Sequence, residues 1–165
     1  MQLPYRKPGK YSQGNTDPLM TKAKFDELTK KLERLTASQI PAAKEVSRLA
    51  ELGDFSENVE YQLAKGKLRG INHGILLTQK QLDQAQLIAA PRQNERVEVG
   101  HLVTVDSGAK QKTFQILGSS ESRPEEGIIS QGSPIGTALL GRKIGEKVKV
   151  KVGTKEVEYT IISIE

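Results

Sequence analysis

From Phe25 to Leu49 the chain reads FDELTKKLERLTASQIPAAKEVSRL, and from Tyr61 to Leu82 it reads YQLAKGKLRGINHGILLTQKQL. In the first stretch Phe25, Leu28, Leu32, Leu35, Gln39, Ala42, Val46 and Leu49 recur at alternating steps of three and four; Tyr61, Ala64, Leu68, Ile71, Ile75, Thr78 and Leu82 repeat the pattern in the second. A half-buried strand would alternate every second residue, so this period predicts two helices, each with an a/d seam. Between them lies Glu51-Leu-Gly-Asp-Phe-Ser-Glu57, where Gly53 and Asp54 mark one helix end and the next helix start. A connection that short forces the helices antiparallel. Arms of roughly 30 residues at ~1.5 Å rise per residue extend about 45 Å, so the connection is the tip of a rod. Pro41 removes a hydrogen bond inside the first helix and is expected to kink the rod or open a turn near Gln39-Ile-Pro41. Gly66, Gly70 and Gly74 each weaken the second helix by ~1 kcal/mol relative to Ala, and leave room for a close approach or for bending.

Outward from the rod the texture changes on both sides. Residues 1–18 hold Pro and Gly without any period and read as a flexible extension. The rod occupies residues 19–90, with its acidic tip at 53–58, and residues 91–165 form a second module. There Arg96–Val99, Leu102–Val105, Lys112–Leu117, Lys147–Val152 and Glu156–Ile164 are β-rich, several with period-two alternation. Val152-Gly-Thr-Lys-Glu156 reads as a hairpin turn. One helix interrupts the strands, with Ser133 as N-cap, Pro134 in its first turn, Ile135 to Leu140 as its body and Gly141 as its stop. The expected class is α+β, an antiparallel coiled-coil hairpin followed by a small antiparallel sheet domain. Lys147, Lys149 and Lys151 are expected on the solvated face of their strand.

Composition removes several functions. The chain has 165 residues, 36% hydrophobic and 4% aromatic, with no Cys and no Trp, so aliphatic packing must supply the cores and thiol chemistry is excluded. No apolar run approaches the ~20 residues of a membrane span, and the basic residues Arg6, Lys7 and Lys10 have no apolar stretch behind them as a secretory signal would. A cytoplasmic protein is expected. The net charge of +5 is a mild lean toward anionic partners. It divides unevenly, with 14 basic against 10 acidic residues in 1–90 and 11 against 10 in 91–165.

No self-contained active site is legible. Gly136-Thr-Ala-Leu-Leu-Gly141-Arg-Lys143 fails as a phosphate loop, because Arg142 takes the lysine position, Lys143 the following Ser/Thr position, and the interior is apolar and helix-forming. His73 and His101 stand in different modules and read as exposed or incidental. The tip remains. Asp54 is a good N-cap and Glu57, three residues on, is placed to close a capping box. Residues so spaced at a helix start also lie on one side, with Cβ atoms ~5–6 Å apart. Both carboxylates would then point out from the rod. Mg²⁺ commonly takes one or two protein carboxylates together with water and phosphate oxygens, so such a tip is half of a metal site that a partner completes. Spacing alone leaves both readings open.

Gly53-Asp54-Phe-Ser-Glu57-Asn58-Val-Glu60-Tyr61, then Ala64-Lys65, Ala85-Gln86-Leu-Ile88, Ser133-Pro134-Ile135 with Leu140-Gly141, and Val148-Lys-Val150 occur in an order that resembles the bacterial Gre transcript-cleavage factor family, nearest its GreA type. The similarity runs from about Pro18 to the C-terminus. It implies an FKBP-like second domain that docks on RNA polymerase, with the hairpin reaching through the secondary channel. It also implies that Asp54 and Glu57 help hold Mg²⁺ there and orient the attacking water while the polymerase, not this chain, cleaves backtracked nascent RNA. Phe55, Ser56 and Asn58 would touch the active centre, and the chain would act as a monomer; the charges of Lys65, Lys67 and Arg69 on the second helix suit either contact with extruded RNA or a solvated helix face. Three departures stand out: residues before Pro18 are extra, Lys24 replaces a common Gly, and the Pro41 to Gly53 stretch is one residue shorter, which turns the tip by about 100° relative to the upstream seam. Two rival readings follow, a Gre-like channel inhibitor of RNA polymerase and a coiled-coil module that binds nucleic acid directly.

Overall fold

The computed structural model describes residues 17–53, 58–91 and 93–165. Strand β1 (Leu19–Met20) leads into helix α1 (Lys22–Glu51), which is followed by helix α2 (Val59–Asp83) and strand β2 (Gln86–Leu87). The heptad pattern orders this hairpin as expected: every seam position is at least partly buried, Leu28, Leu49 and Thr78 almost fully. Across the seam the Gln39 Nε2 donates to Asn72 Oδ1 at 2.8 Å. A Cβ at Gly74 would lie 3.2 Å from Leu35 Cδ1, so this glycine admits a close approach, whereas Gly66 and Gly70 face open space. Pro41 neither breaks nor opens α1, which runs through it without interruption. Ala37 and Pro41 both lie on the exposed side, where water can take the carbonyl that Pro41 leaves without a donor.

The second module is a five-stranded sheet in the order β5-β4-β3-β7-β6, built from β3 (Leu102–Asp106), β4 (Gln111–Leu117), β5 (Ile128–Ser130), β6 (Lys147–Val152) and β7 (Lys155–Ile164). All neighbours are antiparallel except β4 and β5. Alternation puts Val103, Val105, Phe114, Ile116, Val148, Val150, Tyr159 and Ile161 on one buried face, and helix α3 (Pro134–Leu139) covers it with Leu139. Lys147, Lys149 and Lys151 take the exposed face, Lys147 pairing with Glu158 at 3.0 Å. At the start of α3 the Ser133 hydroxyl accepts the Gly136 N–H at 3.0 Å, and Gly136 packs against the Ser130 carbonyl. The glycine of the rejected phosphate loop thus serves close packing.

Two expectations fail here, and one strand lies where none was expected. Arg96–Val99 is not a strand: Val97 donates to the Arg142 carbonyl and accepts from Gly141, both at 2.8 Å, so its backbone binds the loop after α3 instead of a neighbouring strand. His101 is neither exposed nor incidental. It is fully buried, its Nδ1 accepts the Glu98 N–H at 2.8 Å, and the turn this closes includes Gly100 at φ +106°. β5 was not legible, being three residues long and reached through two 3-10 turns, Ser119–Glu121 and Pro124–Glu126.

The hairpin is tied to the sheet at its base. β1 and β2 pair in parallel, with Gln86 N–H donating to the Pro18 carbonyl at 2.7 Å and Ile88 N–H to that of Met20 at 2.9 Å. Residues 1–16 of the expected extension lie outside the described residues, but Asp17 and Pro18 are held. The Asp17 carboxylate accepts from Ser119 N–H at 3.0 Å and from Gln131 Nε2 at 3.1 Å. Gly118 is buried against the backbone of Leu19, and a Cβ there would overlap the Leu19 carbonyl oxygen.

Gly118→Ala should therefore lower stability by about 1–3 kcal/mol through forced displacement of this joint. Gly66→Ala should raise it by up to about 1 kcal/mol. Urea denaturation of the two variants checks the contrast, and equal effects would refute the joint as drawn.

Candidate functional site

The described residues bracket the tip from both sides. α1 ends with Leu52 and Gly53 donating to the Leu49 and Ala50 carbonyls at 3.3 Å, and Gly53 adopts φ +76°, a left-handed value that glycine takes without strain. α2 begins at Val59 with Asn58 as its N-cap: the Asn58 side chain accepts the Tyr61 N–H at 3.1 Å. Asp54, Phe55, Ser56 and Glu57 lie outside the described residues. The N-cap of α2 expected at Asp54 is corrected, since the helix starts later and Asn58 caps it, while the box pairing of Asp54 with Glu57 lies outside the described residues. The signal was present in sequence, for Asn is among the best N-caps and Asn58 stands three residues before the first seam position, Tyr61.

Around this turn Leu52, Val59 and Leu63 are exposed apolar side chains, and Glu60 places a carboxylate in the first turn of α2, where the helix dipole favours it. Arg48 and Glu45 form an exposed pair at 2.8 Å on α1. Hydrogen bonding to Glu45, then the charge of Glu45 and, across the rod, of Glu60, raise the Arg48 guanidinium above its ordinary value. The same hydrogen bond holds the Glu45 carboxyl below its own.

Lys65, Lys67 and Arg69 are all exposed but do not form one cluster. At about 100° per residue Lys65 and Arg69 share a face and Lys67 points to the other side. The Lys65 Nζ lies 5.7 Å from the Tyr61 ring centroid, whereas the charge of Lys67 acts on Glu45. Among the described residues no group of three or more His, Asp or Glu side chains could hold a metal ion, and no helix is long and apolar enough to cross a membrane.

These parts define a class of protein, a long antiparallel helical hairpin carried on a small sheet domain. Residues 18–87 match the N-terminal domain of transcription elongation factors, and residues 92–165 match the C-terminal domain of the GreA/GreB type. The transcription elongation factor GreA of Treponema pallidum is 37% identical over 139 residues, 82% of this chain and 86% of its own length. Those of Nautilia profundicola and Roseiflexus sp. are 36% and 38% identical, over 88% and 87% of this chain and 94% and 89% of theirs. Among solved structures, GreA factor homolog 1 of Thermus thermophilus aligns with 88% of this chain and 97% of its own at 23% identity and a TM-score of 0.41, too loose a superposition to carry an argument. The chain belongs to the GreA/GreB family of transcription elongation factors.

Because Asn58 caps α2, Asn58→Ala should cost about 1 kcal/mol of stability, and Asp54→Ala less than half of that. Thermal or urea unfolding decides between them; the reverse order would return the cap to Asp54.

Proposed function

We propose that this chain rescues arrested transcription by stimulating RNA polymerase to cleave its own backtracked transcript. The observation that carries the proposal is the carboxylate pair Asp54 and Glu57 in the segment of sequence that joins α1 to α2 in a hairpin of this family. α1, with 30 residues, extends about 45 Å at ~1.5 Å per residue, which suits delivery of that turn down a narrow channel. The sheet domain docks on the polymerase surface, and the chain acts as a monomer in the bacterial cytoplasm. The polymerase is the catalyst, so this chain is not an enzyme by itself.

Asp54 and Glu57 would offer Mg²⁺ the hard carboxylate oxygens it prefers, and an ion held there would supply charge stabilisation for phosphoryl displacement. The part of this chain is to bring Asp54 and Glu57 to that ion and to orient the water. That water attacks phosphorus and the P–O3′ bond breaks, leaving a 3′-hydroxyl on the retained RNA and a 5′-phosphate on the released fragment. Phe55, Ser56 and Asn58 contact the active centre around the acids. Lys65 and Arg69, sharing a face, are the better pair for phosphates of extruded RNA.

Added to stalled, backtracked elongation complexes with Mg²⁺, the protein should shorten the transcript, and Asp54→Ala or Glu57→Ala should slow this by on the order of 10²-fold while still competing for the polymerase. Binding without cleavage by the unaltered protein would identify an inhibitor instead. Tight, salt-sensitive binding to naked RNA or DNA would favour a nucleic-acid module.

A further inference from the structure

The base of the hairpin holds a contact that the delivery of the tip does not by itself explain. Thr21 is the N-cap of α1, its hydroxyl accepting the Lys24 N–H at 3.2 Å. Both donors of the same residue turn the other way: the Thr21 N–H donates to Glu121 Oε2 at 2.7 Å and its hydroxyl to Glu121 Oε1 at 2.6 Å. Glu121 ends the 3-10 turn Ser119–Glu121 that follows β4, so one carboxylate of the sheet domain grips the first residue of the rod with both oxygens. It is a negative group at a helix N-terminus, where charge is favoured. The neighbouring cations do not compete for it, since Lys24 pairs with Glu27 and Arg123 with Glu126, each at 3.0 Å. On the other flank of β1 the Asp17 carboxylate binds Ser119 and Gln131. Between these two grips Leu19 lies against Gly118.

We infer that Glu121 is a positioning residue that, with Asp17, fixes the direction of the hairpin on the sheet domain and so aims the tip. Lever arithmetic gives the reason. On an arm of about 45 Å, a rotation of little more than about 1° at the base carries the tip through about 1 Å. A displacement of that size at a reacting centre can cost about 10²-fold in rate. The β1–β2 pairing joins the two ends of the hairpin to each other and not to the sheet domain, so it does not restrain that rotation, and the bidentate carboxylate supplies a restraint. Its hydrogen bonds are charge-assisted and short, which makes them stiff as well as directional.

The inference rests on the delivery function proposed above, and its test separates the two. The chain has no Cys, so spin labels at Ser47→Cys, near the end of α1, and Thr154→Cys, in the β6–β7 turn, report the hairpin direction in the free protein. The unaltered Glu121 should give one narrow distance distribution, and Glu121→Gln and Glu121→Ala broader ones, with helix content and sheet unfolding retained. On backtracked complexes these variants should lower the maximal cleavage rate about tenfold while the half-saturating concentration stays within about twofold. A purely structural role would instead move that concentration by lowering the amount of folded protein. In a double-mutant cycle read on the distance distribution, and not on stability, where loss of the α1 N-cap has its own cost, Thr21→Val should broaden the distribution no further than Glu121→Gln does. Unchanged distance distributions, or additive effects of Thr21 and Glu121, overturn the positioning role. Broadened distributions in a protein that stimulates no cleavage overturn the delivery function and leave the aim of the hairpin under the control of Glu121.

Discussion

Everything distal in this molecule depends on the parallel pairing of Leu19–Met20 with Gln86–Leu87. A two-residue ladder contributes little on its own, and its value lies in what it joins. It brings the entry and exit of the hairpin side by side, so that the a/d seams start in register, and it buries Met20, which is only 2% exposed. The same strand meets the sheet domain at Gly118, where main chain lies on main chain with no side chain between. Contacts of that kind resist sliding more than side-chain packing does, because neither partner has rotamers to exchange.

Along the rod the restraint loosens in an ordered way. Near the base Leu28 and Thr78 are almost fully buried, at mid-length Leu35 packs so close to Gly74 that a Cβ there would lie 3.2 Å from its Cδ1, and beyond it Gly66 and Gly70 face open space. Leu49 is buried again at the far end. Glycines in open space lower helix stability without a compensating contact. The middle of α2 is thus the softest part of the arm, whereas Leu49 and the Asn58 cap restore order next to the turn.

The rod was legible because its period is redundant: one exception such as Gln39 does not hide a seam of eight positions in α1. The long strands were legible through alternation, and α3 through Ser133, Pro134 and Gly141. Arg96–Val99 alternates just as well, yet its hydrogen bonds go to Gly141 and Arg142, and alternation cannot tell a ladder from a loop partner. The cap of α2 was misplaced because Asp54 and Asn58 are both good caps, and only packing decides which residue begins the helix. The grips of Asp17 and Glu121 join residues about a hundred positions apart in sequence, with sequence separations of 102 for Asp17 to Ser119 and 100 for Thr21 to Glu121, and no local pattern encodes them.

The displaced cap bears on the chemistry proposed for the tip. Had α2 begun at Asp54, that carboxylate would have spent a lone pair on the helix, and a carboxylate committed to a backbone N–H is a weaker metal donor. Asn58 takes the Tyr61 N–H with a neutral amide oxygen, and Gly53 ends α1 through its own backbone. Both ends of the arm thus carry hydrogen bonds of their own beside the acids, from the Asn58 side chain and from the Leu52 and Gly53 backbone. For the ligand delivery proposed above, a neutral cap at Asn58 and a backbone stop at Gly53 give the two helix ends hydrogen bonds that a change of charge at the tip does not remove.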